Sequence, residues 1–425
     1  IFSVFMAVDE PWSPEISVLM PVKNAMPYLP YAAMDALCQS GVRVEVIAVD
    51  DGSTDSGGHF LRELEELLRG GCEPAQKRLK SEVSLVPHDH VAEVCPVTSH
   101  VLVHVSSRGR AVDVEDVTNP CEVLPLRQLA ADSTGMEPIA ELPVADVAAA
   151  VQGYDARLRV LQGGAGQGAA LDAGLQAARA PLIAHMEADD RYGSHRMQLL
   201  MSVLHSTPDW TGVLSTVELF GWERPGMERY ITWQNSLLTA DDHARYRFVE
   251  LPGLHQTGLY RASALKEIGG YRDLPDWPVD MDFWGRFFES GLKVGKISDP
   301  QAVYRWRQHP GQSTRTHGRC SLENLRMCKA HFLAGRQGGP ARNREVQVWS
   351  VGSTLIAWAE EMRKHCKSVE AVEYKPGRPM PVQEKRLLCA PSRPIRLFAF
   401  GSDKVRQRVL QCVTSFDPEH DWFVA

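Results

Sequence analysis

Three apolar runs in this chain, two of them ending abruptly in acid, restrict the fold more than any other feature. "ISVLM" (16–20), "VEVIAV" (44–49) and "PLIAHM" (181–186) lack the polar alternation of a half-exposed strand. Such runs suit strands covered on both faces, as in a parallel sheet with helices on either side. Helical stripes separate them. "YLPYAAMDALCQSG" reads as a short helix closed by Gly41. "DSGGHFLRELEELLRGG" places Phe60, Leu61, Leu64, Leu67 and Leu68 on one stripe before Gly70–Gly71 stops it. The glycine loop before "AALDAGLQAARA" follows a strand at "RLRVLQ" (157–162). This alternation predicts an α/β fold with a mostly parallel central sheet.

Two of these strands run into carboxylates: "VIAVDDGSTD" delivers Asp50 and Asp51, and "HMEADD" delivers Glu187, Asp189 and Asp190. Adjacent like charges repel, so a purely structural turn rarely selects such a pair. Ligands of open α/β sheets bind beyond the carboxyl ends of the strands. The two acidic turns are therefore expected to converge on one bound molecule. Taken alone, "EADD" also fits a polar loop leaving the sheet. Hard divalent cations such as Mg²⁺ or Mn²⁺ take one or two carboxylates plus substrate phosphates, which suits the acidic reading.

Bulk properties narrow the class. With 425 residues the chain has room for two or three domains. Its formal charge of −7 argues against a general nucleic-acid coat. Nine cysteines without a C-x-x-C pair read as thiols in a reducing compartment, and hence a cytoplasmic location. No apolar stretch reaches the roughly 18 residues of a membrane span. The chain opens on Ile1, which leaves room for an upstream segment.

Residues 71–150 break the pattern with seven prolines, and they read as an insertion of flexible character. Within it, "HVLVHV" (100–105) alternates like a strand, and His88, His90, His100 and His104 invite a metal reading. Strand residues four apart sit about 13 Å from each other, too far to share one ion. From about 340, "EVQVWSVGSTLIAWAEEMRKH" begins a second strand–turn–helix series that extends to the end. Its turn keeps only Gly352, so the pyrophosphate-binding glycines of a dinucleotide site are missing, which removes an oxidoreductase reading.

"PEISVLMPVKN", "VIAVDDGSTD", "GAGQGAALDAGLQAARAPLIAHMEADDRY" and "HQTGLYRASALKEIGGYRD", in that order, resemble glycosyltransferase family 2. The resemblance implies a GT-A domain over residues 13–325, interrupted by the 71–150 insertion and followed by a degenerate Rossmann-like unit over 340–425. It implies an inverting transferase that uses a nucleotide-sugar, a UDP-sugar foremost, with Mg²⁺ or Mn²⁺. Asp51 resembles the residue that binds the uracil ring, with Pro21 and Val22 lining the base pocket and Gly166 in the glycine loop. Asp189 would face the ribose, and Asp190 would hold the metal together with Glu187, which stands where the family usually has Asp. Asp172 replaces a usual Asn and adds negative charge near the diphosphate.

"DWPVDMDFWGRFFESG" supplies a base for the acceptor hydroxyl. A helix first turn also welcomes an acid for capping, so local sequence leaves both roles open. The resemblance selects Asp280, with Asp282 in reserve and Val279 in place of the first acid of the family's pair. Trp284 and His255 fall on the acceptor side. "YRWRQHPGQSTRTHGR" offers Arg305, Arg307, His309, Arg315, His317 and Arg319, and arginine forks match a diphosphate. "RYITWQNSLL" with the carboxyl-terminal unit further resembles a subgroup that includes the queuosine-tRNA galactosyltransferase. The acceptor thus stands open among glycan, small molecule and tRNA nucleoside. Two other readings stay in view. One is a non-catalytic scaffold, suggested by Glu187, Asp172 and Val279. The other is a nucleotidyltransferase, which would carry a glycine-rich loop with Arg after the first strand, where "MPVKNAMP" has none.

Overall fold

The computed structural model describes residues 12–70, 141–222, 225–336, 338–374, 394–412, 416–417 and 419–425. The insertion's "HVLVHV" and its four histidines lie outside these residues. Strands β1 (Ile16–Val22) and β2 (Val44–Asp50) are buried along their whole length. Their side chains alternate between two separate cores. Val18, Met20, Val46 and Ala48 point into one, while Leu19, Ile47 and Val49 point into the other. A continuous apolar run is the only pattern that satisfies both faces at once.

The remaining strands of the first unit are β3 (Ala156–Gln162), β4 (Leu182–His185), β5 (Arg191–Tyr192), β6 (Gly212–Ser215), β7 (Val217–Gly221), β8 (Gly258–Arg261), β9 (Val294–Ile297) and β10 (Tyr304–Gln308). Seven form the central sheet in the order β3-β2-β1-β4-β8-β6-β9. Only β8 runs against its neighbours β4 and β6; the other pairings are parallel. The mixed α/β fold with a large, mostly parallel sheet is therefore as the sequence predicts. A small sheet, β5-β10-β7, folds across the carboxyl edge and brings β10 to the acidic turn after β4.

One expectation needs correction. Residues 144–151 form a helix, Val144–Val151, whose Val147, Ala148, Ala150 and Val151 are buried in the same core as the helices Leu29–Leu37 and Gly57–Arg69. This segment belongs to the domain, so the insertion does not extend to residue 150. The apolar spacing of "VADVAAAV" carried that signal.

Beyond residue 340 lie β11 (Glu345–Ser350), β12 (Ser368–Glu373), β13 (Ile395–Ala399) and β14 (Asp421–Val424), an all-parallel sheet ordered β12-β11-β13-β14. Helix Gly352–Arg363 covers one face. Val346, Val348, Leu397 and Trp358 share a core with Phe248, Met281 and Phe332 of the first unit. The two units are thus joined by packed apolar surface. No helix among the described residues is long and apolar enough to cross a membrane.

Candidate active site

The two acids at the end of β2 have different fates. Asp50 turns back into its own loop, where Oδ1 accepts from the Ser53 amide at 2.9 Å. Asp51 faces the glycine loop, and its Oδ1 accepts from the Gly166 amide at 3.3 Å. Gly164 lies so close that a Cβ there would sit 1.5 Å from Asp51 Oδ1. A side chain at 164 and a carboxylate at 51 exclude each other. Lys23 reaches Asp51 from solvent at 3.3 Å. Asn24 ties this turn to the end of β1, accepting from the Thr54 amide at 2.7 Å. Pro21 and Val22, the last residues of β1, are buried beside it.

Gly166 sits at φ +124°, and a Cβ there would meet Asp273 Oδ2 at 1.8 Å. Asp273 caps the helix Gln167–Ala177 by accepting from the Gly168 amide at 3.2 Å, and it pairs with Arg319 at 2.8 Å. The amino end of this helix is therefore already served by an internal anion, a favourable arrangement for the exposed amides there. Asp172, expected near the diphosphate, turns to the 270–271 turn, where its Oδ1 accepts from the Tyr271 amide at 3.2 Å.

The three acids of "EADD" also separate. Asp190 is fully buried. Its two oxygens accept from the Tyr304 hydroxyl and the Arg307 amide, each at 2.8 Å. Burial, with the neighbouring Asp189 charge, pushes its carboxyl well above the usual range. A sealed carboxyl with both oxygens engaged welds β10 to this turn, and the expected metal-holding role does not fit it. Asp189 is the acid left facing outward, paired with His309 Nε2 at 3.0 Å. Arg307 Nε donates to the Asp189 carbonyl at 2.7 Å, and its guanidinium lies between the Tyr28 and Phe220 rings at 4.4 and 4.3 Å. Arg305 instead pairs with Glu218 at 3.1 Å in an exposed bridge, so the two arginines divide their work.

Glu187 accepts from Gln167 Nε2 at 2.8 Å and lies 3.2 Å from His185 Nε2. Burial, reinforced by Asp189, raises its carboxyl to about 7.

Asp280 sits in the first turn of the helix Val279–Glu289, accepting from the Met281 amide at 2.8 Å. Burial raises its carboxyl to about 6, and the Glu187 and Glu250 charges add to that. It lines a cleft of about 1540 Å³ with Trp222, Tyr230 and Trp306 from the first unit and Arg406 from the second. Its neighbour Asp282 points inward, 1% exposed, and bridges Arg272 and Arg286. Trp284 is 2% exposed and donates to the Gly253 carbonyl at 2.8 Å. Both residues hold the helix in place, so the acceptor-side role expected of them does not fit. His255, also expected there, is buried against His185, with ring centroids 4.6 Å apart.

Sequence reasoning missed Tyr304, Asp273 and His185. Tyr304 and Asp273 act across the fold and leave no local pattern. His185, two residues before Glu187, had a signal in "AHMEADD".

No protein-family model matches the chain, and no curated protein matches it. Among solved structures the chain is similar to S. aureus TarS in complex with UDP-GlcNAc, at 12% identity and a TM-score of 0.42, over 75% of this chain and 66% of that one. The same protein in complex with UDP gives 12% and 0.42, over 75% and 65%. The mannosyltransferase PcManGT from Pyrobaculum calidifontis, in complex with GDP-Man and Mn²⁺, gives 13% and 0.38, over 76% and 63%. The chain spans just under two thirds of the length of these structures.

Proposed function

We propose that this chain is a glycosyltransferase of GT-A type, moving a sugar from a nucleotide-sugar, foremost a UDP-sugar, to an acceptor hydroxyl with inversion. The observation that supports this best is the acidic edge of the sheet, where Asp51 stands at the end of β2 and Asp189 with His309 stands beyond β4. Asp280 stands on the cleft wall near enough for the Glu187 charge to act on it, with a carboxyl raised to about 6.

In this reading Asp51 accepts a hydrogen bond from the donor's base, above Pro21 and Val22. Asp189 and His309 fit a divalent cation: one carboxylate and one imidazole suit Mn²⁺, with Mg²⁺ relying more on the carboxylate and phosphates. Such a cation, when bound, offsets the charge that gathers on the departing diphosphate. Arg307, fixed between two rings, supplies a second positive charge at the same point. Asp280 takes the proton of the acceptor hydroxyl as that oxygen attacks the anomeric carbon opposite the diphosphate. A carboxyl near 6 is ionised at neutral pH and still more basic than an exposed aspartate, which favours this role. The ring faces of Trp222, Tyr230 and Trp306 along the cleft suit an acceptor with apolar faces.

The test is a donor screen scored by UDP or GDP release, with and without Mn²⁺, repeated on Asp280→Asn. Turnover that needs Mn²⁺ and vanishes in the variant supports the reading. Absence of both turnover and Mn²⁺-dependent UDP binding would leave the fold as a binding scaffold.

A further inference from the structure

We propose that His185, His255 and Glu187 form a binding site for one borderline divalent transition-metal ion, of the Zn²⁺ or Co²⁺ kind, separate from the Asp189–His309 pair. The three side chains each offer a donor atom, and these atoms lie within 4.8 Å of one another. Metal–ligand bonds of about 2.0–2.2 Å hold donors roughly 3.3–4.4 Å apart. His185 Nε2 and Glu187 Oε1 already stand 3.2 Å apart, and the His255 donor lies within 4.8 Å of both.

A second observation points the same way. Both imidazoles are buried, at 1% and 4% exposure, yet no ring nitrogen makes a hydrogen bond; His185 Nε2 has only the Glu187 carboxylate at 3.2 Å. Buried polar atoms are nearly always satisfied, and two neighbouring rings so poorly served call for a reason. A cation that takes one lone pair from each ring is such a reason. Neutral imidazole is the form a metal requires.

The surroundings are those of a held site. His185 ends β4 and His255 opens the turn before β8, the antiparallel neighbour of β4. The Tyr260 hydroxyl donates to the His255 carbonyl at 2.8 Å, which fixes the backbone that presents the ring. Gln167 orients the Glu187 carboxylate, the outer-layer support that ligating carboxylates usually have. Glu187 is partly exposed, which gives an ion a way in. Two imidazoles and one carboxylate select a borderline transition ion over Mg²⁺. The ion would clamp the end of β4, the platform from which Asp189 projects. This site does not depend on glycosyl transfer.

The experiment uses the full chain, stripped with a chelator and titrated with Co²⁺ without nucleotide. One equivalent should bind with visible ligand-field bands, Zn²⁺ should displace it, and Zn²⁺ should raise the melting temperature. His185→Gln and His255→Gln should each weaken Co²⁺ binding by at least the roughly 10–100-fold that loss of an outer-layer partner costs. Glu187→Gln, which keeps the side chain's shape, should do the same and stands in if the histidine variants fail to fold. The double variant Asp189→Asn, His309→Gln should keep the bands and the stoichiometry. Absence of stoichiometric binding in the wild type, unchanged affinity in the His185, His255 or Glu187 variants, or bands lost in the Asp189, His309 double variant would each overturn the assignment. Loss of Mn²⁺-dependent UDP release with the Co²⁺ bands intact would count against the transferase reading alone.

Discussion

The first and second sheets of this protein share a plan of parallel strands with helices packed beside them, and they differ at the carboxyl edge. On the first, Asp51, Glu187 and Asp189 border the rim where strands end. On the second, Phe400 and Tyr374, just past the ends of β13 and β12, close the carboxyl edge with apolar rings 5.1 Å apart. Its buried acid, Asp421, opens β14 at the opposite, amino edge and is spent on Arg396 at 2.6 Å. The same architecture yields an acidic rim in one case and an apolar one in the other. What separates them is which residues follow the strand ends, and the one acid buried in the second sheet is committed to its arginine.

The comparison is sharpest on a single helix, between Asp280 and Asp282. Asp280→Asn should lower kcat for UDP release about 10²–10⁴-fold while donor KM moves little, because the loss falls on proton transfer. Below about pH 6 the wild-type rate should fall roughly tenfold per unit as the base is protonated, and it should level off above. A flat profile through pH 6 would remove Asp280 from that role. Next in size, Asp282→Ala strands two guanidiniums and should cost about 3–5 kcal/mol in urea unfolding. Its surviving folded fraction should keep donor turnover. Asp421→Ala should behave likewise from the second sheet, and a specific loss of UDP binding there would break the contrast drawn above.

Asp189→Asn should weaken Mn²⁺ dependence about 10–100-fold, judged by the Mn²⁺ concentration for half-maximal UDP release. Asp190→Asn should act mainly on the melting temperature. The smallest effect is one of linkage. The Asp280 carboxyl is raised in the folded protein from an ordinary value of 3.8 to about 6, so the folded state binds its proton more tightly than the unfolded chain does. Stability from this group is present below about pH 4 and is lost as pH rises to about 6. Asp280→Asn should therefore be more stable than wild type at pH 8 by on the order of 1 kcal/mol, and the gap should shrink by pH 4.

Much of this is legible in the sequence. The buried strands, the acidic turns and the carboxyl-terminal unit follow from residue patterns along the chain, as does the place of Asp280 in a helix first turn. The division of labour within each acidic group was not legible. "DD" at 50–51 and "DD" at 189–190 look alike in sequence, yet Asp50 serves its own loop while Asp51 turns to the glycine loop, and Asp190 is sealed while Asp189 stays half-buried. The reserve base Asp282 is two residues from Asp280, and only Arg272 and Arg286, brought in from outside the turn, show that it is committed elsewhere. Likewise, the partner of Asp172, the Tyr271 amide, lies 99 residues away in the chain.

By itself, then, the sequence determined which segments are buried strands and where acid meets the end of a strand, since periodicity and local composition are properties of neighbours in the chain. Only the tertiary structure decided which carboxylates stay open, because the partners that occupy the others, Tyr304, Arg307, Arg272 and Arg286, arrive from distant or opposite-facing positions. Charge pairing and desolvation depend on distance through space, and a linear pattern does not encode that distance.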